Sequence, residues 1–260
     1  MRIRIFDSSE ECRTAAAWRA VGYMLKEPCG AIGLCTGSTT GPIHEMIAEI
    51  YRKNPFDASG IHTVNADEFL TPQAEGYDGP IITMRPGMEK TLWSVLGIDE
   101  NHAHMPDANP KDWEAEAEKY EATIREIGGI GLQMLGVGPD AHLGFCLPGT
   151  PFGTISHVAP ISQVLTESSI VGGTRQVNPK WGPFYGITMG LRTFMQGREL
   201  LPITVGASKA EAVEKAILGP VTEEVPASIL QLHPNCTWYM DREAAAGIIG
   251  RIDENGVRIK

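Results

Sequence analysis

No stretch of this chain approaches the roughly 20 consecutive apolar residues that a membrane helix needs. The start, MRIRIFDSSEECR, turns acidic before an apolar signal core can form. No run of Lys and Arg is present and the formal charge is −10, which argues against a nucleic-acid partner. Cysteine is sparse and unpatterned: Cys12, Cys29, Cys35, Cys146 and Cys236 are odd in number, scattered, and contain no C-x-x-C pair. That speaks against a disulfide framework and a cysteine zinc site. The chain also lacks internal repeats, a linker between domains, and the Gly-Lys-Ser/Thr ending of a Walker loop. What remains is a reduced, cytoplasmic globular protein. An anionic small molecule stays compatible with it if a local cationic pocket exists.

At 260 residues and 42% hydrophobic content, the chain can bury a sizeable core. Residues 8–26 begin with Ser caps and acidic residues, then space apolar side chains at helical intervals. AIGLC at 31–35 reads as a buried strand, followed by TGSTTGP and a helical pattern through Lys53. Strand, Gly/Ser/Thr loop and helix form the layout of a phosphate cradle, in which backbone N–H groups at a helix start face the anion. An ordinary strand-to-helix turn with a Thr cap has the same layout. Residues 61–70, IHTVNADEFL, alternate as a strand and deliver Asp67 and Glu68 at its carboxyl end. Thr71 to Pro80 reads as a mobile loop, and 85–96 as a helix. The charge-rich 110–127 reads as a solvated surface helix.

The chain is organised around residues 135–154, LGVGPDAHLGFCLPGTPFGT. An apolar strand ending in Gly136, Gly138 and Pro139 must turn, because glycine relaxes the backbone and proline removes a donor. Asp140 and His142 then stand at the carboxyl edge of a sheet, where open α/β folds place ligands. One carboxylate and one imidazole suffice for proton transfer near neutral pH. A helix-capping Asp and a surface His would give the same spacing. Cys146 reads as a small buried hydrophobe rather than a nucleophile. The segment 155–183 is low in periodicity and reads as a lid carrying the cation Arg175. Strand patterns follow at YGITMGL and RELLPITVGAS. Lys209 heads the next helix, where the helix dipole disfavours a cation unless an anion is near. A terminal helix follows PASILQLHPNCTWYMD. Alternating βα units predict one α/β domain over 1–260 with a mostly parallel sheet flanked by helices.

The motifs LCTGSTTGP (34–42), NADEF (65–69), LGVGPDAHLGFCLPGTPF (135–152), LTESSIVGGTR (165–175), GITMGL (186–191), VGASKAEAV (205–213) and SILQLHP (228–234) together resemble the glucosamine-6-phosphate deaminase/isomerase family. That family is itself related to 6-phosphogluconolactonases. The resemblance implies a single Rossmann-like domain that opens an amino-sugar 6-phosphate ring, moves a proton between C2 and C1, and expels ammonia without metal or organic cofactor. It implies that Asp67 removes the C2 proton, that His142 opens the pyranose, and that Asp140 holds the polar geometry. It assigns the phosphate to Thr36, Gly37, Ser38 and Thr39 with Arg175 and Lys209. The deaminases carry a Glu at the position of Leu147, where it partners the histidine; its loss predicts slower or differently gated ring opening, with Glu68 as a candidate replacement. The basic residues of the family's effector site are not evident in GTISHVAP. A 6-phosphogluconolactonase-like hydrolase and a non-catalytic sugar-phosphate sensor are the alternatives, and monomer and homo-oligomer both remain open.

Overall fold

A computed structural model describes residues 1–161 and 182–253. In chain order its elements are β1 (Arg2–Phe6), α1 (Ser9–Lys26), β2 (Ala31–Leu34), α2 (Gly41–Lys53), β3 (His62–Asn65) and β4 (Asp67–Phe69). Next come α3 (Arg85–Met88), a π-helical turn (Glu89–Trp93), α4 (Ser94–Leu96), β5 (Ala103–His104), α5 (Trp113–Glu126), β6 (Leu132–Gly136) and β7 (His157–Pro160). The chain continues through β8 (Tyr185–Thr188), α6 (Leu191–Met195), β9 (Glu199–Thr204), α7 (Ala210–Leu218), a 3₁₀ segment (Pro226–Leu232) and β10 (Thr237–Asp241).

Seven strands form one sheet in the order β1-β10-β9-β6-β2-β3-β5, and every pairing is parallel. A sheet buried on both faces needs apolar residues on both sides of its strands. In β10, Trp238 and Met240 enter one core cluster while Tyr239 between them enters the other. The first cluster also holds side chains of α5, α6 and α7, and the second those of α1, α2 and the 85–96 helical segment. Helices therefore cover both faces. The sheet has a switch point: the chain leaves β2 for β3 on one side, and leaves β6 for β9 on the other. The loops after β2 and β6 thus part to opposite faces and open a crevice between them, the place where such sheets bind ligands.

Several elements differ from the sequence expectation. The strand expected over 61–70 breaks at Ala66. β3 stays in the large sheet, while β4 joins β8 and β7 in a second, antiparallel sheet of three strands. The 110–127 helix is not simply a solvated surface element, since Tyr120 and Ile124 enter the core and Glu121 is 4% exposed. Glu121 Oε2 accepts from Ser156 N, Ser156 Oγ and Thr193 Oγ1, which explains a buried carboxylate on a charge-rich helix. β1 pairs with β10 across the whole chain, a contact that no local pattern announces. The terminal helix is a succession of turns instead. The 71–80 loop is anchored at its neck, where Ile82 N donates to Thr71 Oγ1 at 3.0 Å. Of the lid expected over 155–183, residues 157–160 form β7, and 162–181, including Arg175, lie outside the described residues. Among the described residues no helix is long and apolar enough to cross a membrane.

Candidate active site

The loop after β2 is tied to its own helix. Thr40 Oγ1 donates to Cys35 O at 2.7 Å, and Gly41 N donates to Gly37 O at 2.8 Å. Among the described residues, nothing accepts from the backbone N–H groups of Gly37, Ser38 or Thr39. Free donors at the start of α2, with Pro42 inside the first turn, have the geometry of a helix N-terminus open to an anion. Ser38 is exposed and Thr39 buried, so the cradle opens on one side.

Across the crevice, the loop after β6 depends on three unusual backbone positions. Ala141 has φ 67, in the left-handed region that side chains other than glycine seldom occupy. This kink separates Asp140 from His142 and brings their side chains together: His142 Nδ1 lies 2.5 Å from Asp140 Oδ1, and His142 N donates to the same oxygen at 3.3 Å. Ala227 N donates to Ala141 O at 2.9 Å and holds the kink in place. Gly138 makes room for the ring, since a Cβ there would sit 2.2 Å from His142 Nδ1. Gly144, φ 55, brings the loop onto β4, where its Cβ would lie 3.4 Å from Asp67 Oδ2 and 2.6 Å from Thr188 Oγ1. Thr188, the register partner of Asp67, accepts from Phe145 N at 3.1 Å. The structure therefore brings Asp67, Asp140 and His142 to one crevice. The break at Ala66 is what does so, by turning the chain out of the large sheet one residue before the acid.

Asp67 is 7% exposed. Burial, and secondarily the charge of Glu68, push its carboxyl up to about 7. Asp140 goes the other way: the hydrogen bond from His142 holds it below the usual carboxylate range. Lys209 occupies the position before α7 and is half-buried. Burial lowers its pKa, and the nearby Asp140 charge opposes that shift, which places this cation at the same sheet edge. It follows Gly206, whose N–H is held by the Asp241 carboxylate at 3.0 and 3.1 Å. Cys146 is fully buried, donates to Met189 O at 3.3 Å, and is pushed up to about 12 by burial, so it is an inert core thiol.

Glu68 does not replace the carboxylate missing at Leu147. It leaves β4 on the face opposite Asp67, and its oxygens accept from Phe69 N at 2.7 Å, Thr83 Oγ1 at 2.6 Å and Met84 N at 2.9 Å. The carboxylate that contacts His142 is that of Asp140. No local sequence signal marks Thr188 or Gly144 as site-forming, because each acts through a contact distant in the chain. Among the described residues no three His, Cys, Asp or Glu side chains are arranged to hold a metal ion.

Known proteins resemble this chain in sequence and in fold. A family model described as glucosamine-6-phosphate isomerases/6-phosphogluconolactonase matches residues 19–238. The chain is 37% identical over 234 residues to a glucosamine-6-phosphate deaminase of Lachnoclostridium phytofermentans, covering 88% of this chain and 94% of that protein. It is 33% identical over 249 residues to the glucosamine-6-phosphate deaminase of Halothermothrix orenii, covering 95% and 99%. A solved monomeric glucosamine-6-phosphate deaminase superimposes with a TM-score of 0.85 at 29% identity, over 95% of this chain and 100% of that one. By the span of that family model and the extent of these similarities, the chain belongs to the glucosamine-6-phosphate isomerase/6-phosphogluconolactonase family.

Proposed function

We propose that this protein is an isomerising deaminase that converts a 2-amino-2-deoxyhexose 6-phosphate, glucosamine 6-phosphate or a close variant, to the ketose 6-phosphate and ammonia. The observation that carries this reading is a buried, weakly acidic Asp67 beside an Asp140–His142 pair in the crevice that also bears the anion cradle. The 36–39 loop, Lys209 and Arg175 hold the phosphate dianion, whose binding energy orients the sugar far from the reacting carbons. His142, oriented by Asp140, takes the proton of the anomeric hydroxyl and passes it to O5 as the C1–O5 bond breaks, leaving the open-chain aldehyde. Asp67 then removes the proton at C2 while the C1 carbonyl oxygen takes up a proton, giving an enolamine, and delivers its proton to C1, which turns the C2 amine into a C2 iminium. Water adds there and ammonia leaves. A base that works near neutral pH is most effective when its own pKa lies close by, which burial of Asp67 supplies.

Leu147 favours a second reading, hydrolysis of a sugar-phosphate lactone, in which His142 activates water and Asp67 is dispensable. We further infer one domain over 1–260, acting in the cytoplasm on a free sugar phosphate without nucleic acid; four of five cysteines are buried free thiols and the net charge is −10. The test is ammonia release, with parallel detection of ketose phosphate, from glucosamine 6-phosphate and its galacto epimer. Turnover of either substrate is expected. Silence with both, together with acid release from a 6-phosphogluconolactone, would transfer the assignment to the hydrolase.

A further inference from the structure

Glu68 is 1% exposed, next to the proposed base, and has no part in the proton transfers above. Its bonds lead elsewhere. Thr83 and Met84, which it holds through a hydroxyl and a backbone N–H, end the loop whose neck is closed by Thr71 and Ile82. Thr83 Oγ1 also accepts from Arg85 N at 3.1 Å, so the base of this loop is fixed on both sides of Met84. The Met84 thioether in turn lies against the hydroxyl of Thr36, the first residue of the anion cradle. A continuous chain of contacts therefore runs from the strand that carries Asp67, through Glu68 and Met84, to the cradle. Both oxygens of Glu68 are engaged at this junction, where Thr83, Met84 and Phe69 all present hydrogens to it.

We propose that Glu68 is a positioning residue which, through Thr83 and Met84, sets the Thr36–Thr39 loop for the substrate's phosphate group. The role rests on the deaminase reading, in which that loop is the phosphate subsite. A glutamine can keep the same bonds: its carbonyl oxygen takes Phe69 N and Met84 N, which both reach Oε1, and its amide donates to Thr83 Oγ1 with that hydroxyl reversed. Alanine keeps none of them. Glu68 therefore acts through hydrogen-bond geometry, and its charge is not needed.

The experiment compares wild type, Glu68→Ala, Glu68→Gln and Met84→Ala at pH 8, where Asp67 is largely ionised. It measures kcat and KM for glucosamine 6-phosphate and, separately, the dissociation constant of inorganic phosphate by calorimetry. Glu68→Ala and Met84→Ala should raise KM and the phosphate constant together, by about tenfold, with kcat falling less than KM rises. Glu68→Gln should restore both constants. Unchanged constants in Glu68→Ala, a loss confined to kcat, or a glutamine variant as impaired as alanine would each overturn the role. If Glu68→Ala does not fold, Met84→Ala decides alone: unchanged constants refute the proposal and raised constants support it. A wild type that binds phosphate but releases no ammonia would sink the deaminase reading instead, and the phosphate titrations of the variants would still decide this one.

Discussion

Asp67 and Asp140 share one crevice and titrate in opposite directions. Asp67 sits on a strand at 7% exposure, and no described hydrogen-bond donor reaches its carboxylate. Asp140 sits on a loop with its side chain 44% exposed and receives both the ring and the backbone N–H of His142. Desolvation lifts the first to about 7, while hydrogen bonding lowers the second. Residue type is the same in both places, so the surroundings assign the roles: a carboxyl that can lose and regain a proton near neutrality, and one that stays ionised as a fixed partner for an imidazole.

The largest effect should come from removing the proton carrier. Asp67→Asn should cut kcat by at least about a thousandfold while leaving inorganic phosphate binding nearly intact, as measured by ammonia release and calorimetry. Retained turnover would dismiss Asp67 as the base. Asp140→Asn should cost less, about a hundredfold in kcat, because His142 keeps its ring but faces a neutral amide in place of the carboxylate that orients it. An equal or larger loss than Asp67→Asn would invert the assignment.

The same pair separates in stability. A carboxyl with a raised folded-state pKa stabilises fully below its unfolded pKa and loses that contribution as pH rises through the folded value, here from about 4 to about 7. Replacing Asp67 by Asn should therefore stabilise the protein at pH 8, by on the order of 1–3 kcal/mol, read as a higher Tm. Asp140 has a depressed folded-state pKa, so its contribution is present above the unfolded pKa and disappears as pH falls through the folded value. Asp140→Asn should lower Tm at pH 8. Two variants that shift Tm in the same direction would erase the contrast. Activity should likewise fall as pH drops through about 7, where Asp67 takes up its proton, and this acid limb should move down in Glu68→Gln because the Glu68 charge raises Asp67. The smallest effect concerns the family carboxylate missing here: Leu147→Glu should raise ring opening by up to about tenfold, seen as a higher kcat. No gain would mean that Asp140 alone suffices for His142.

Much of this was legible in the chain. The strand, Gly/Ser/Thr loop and helix at 31–53 read directly, because caps, glycine and apolar period are local. The nearness of Asp140 and His142 also followed from two residues of separation past a Gly-Pro turn. Asp67 could be suspected from NADEF, but its environment could not be read. That depends on Gly144 and Thr188, which lie 77 and 121 positions further along the chain (144 − 67 and 188 − 67). The helix at 113–126 misled for the same reason: its charge pattern hides a Glu121 that only Ser156 and Thr193 make acceptable inside. Glu68 looked free to replace a lost carboxylate until the 83–84 backbone was seen to occupy it.

By itself, then, the sequence determined the alternation of strands and helices, the two glycine-rich turns and the identities of the acids and the imidazole, since these follow from periodicity and backbone preference over a few residues. Only the tertiary structure decided that the chain breaks at Ala66, that β4 changes sheets, and that of two neighbouring acids one is desolvated beside the histidine loop and the other ties down a distant segment. Strand exchange, burial and hydrogen-bond partners are set by what long-range folding brings together, and no local pattern of residues contains that information.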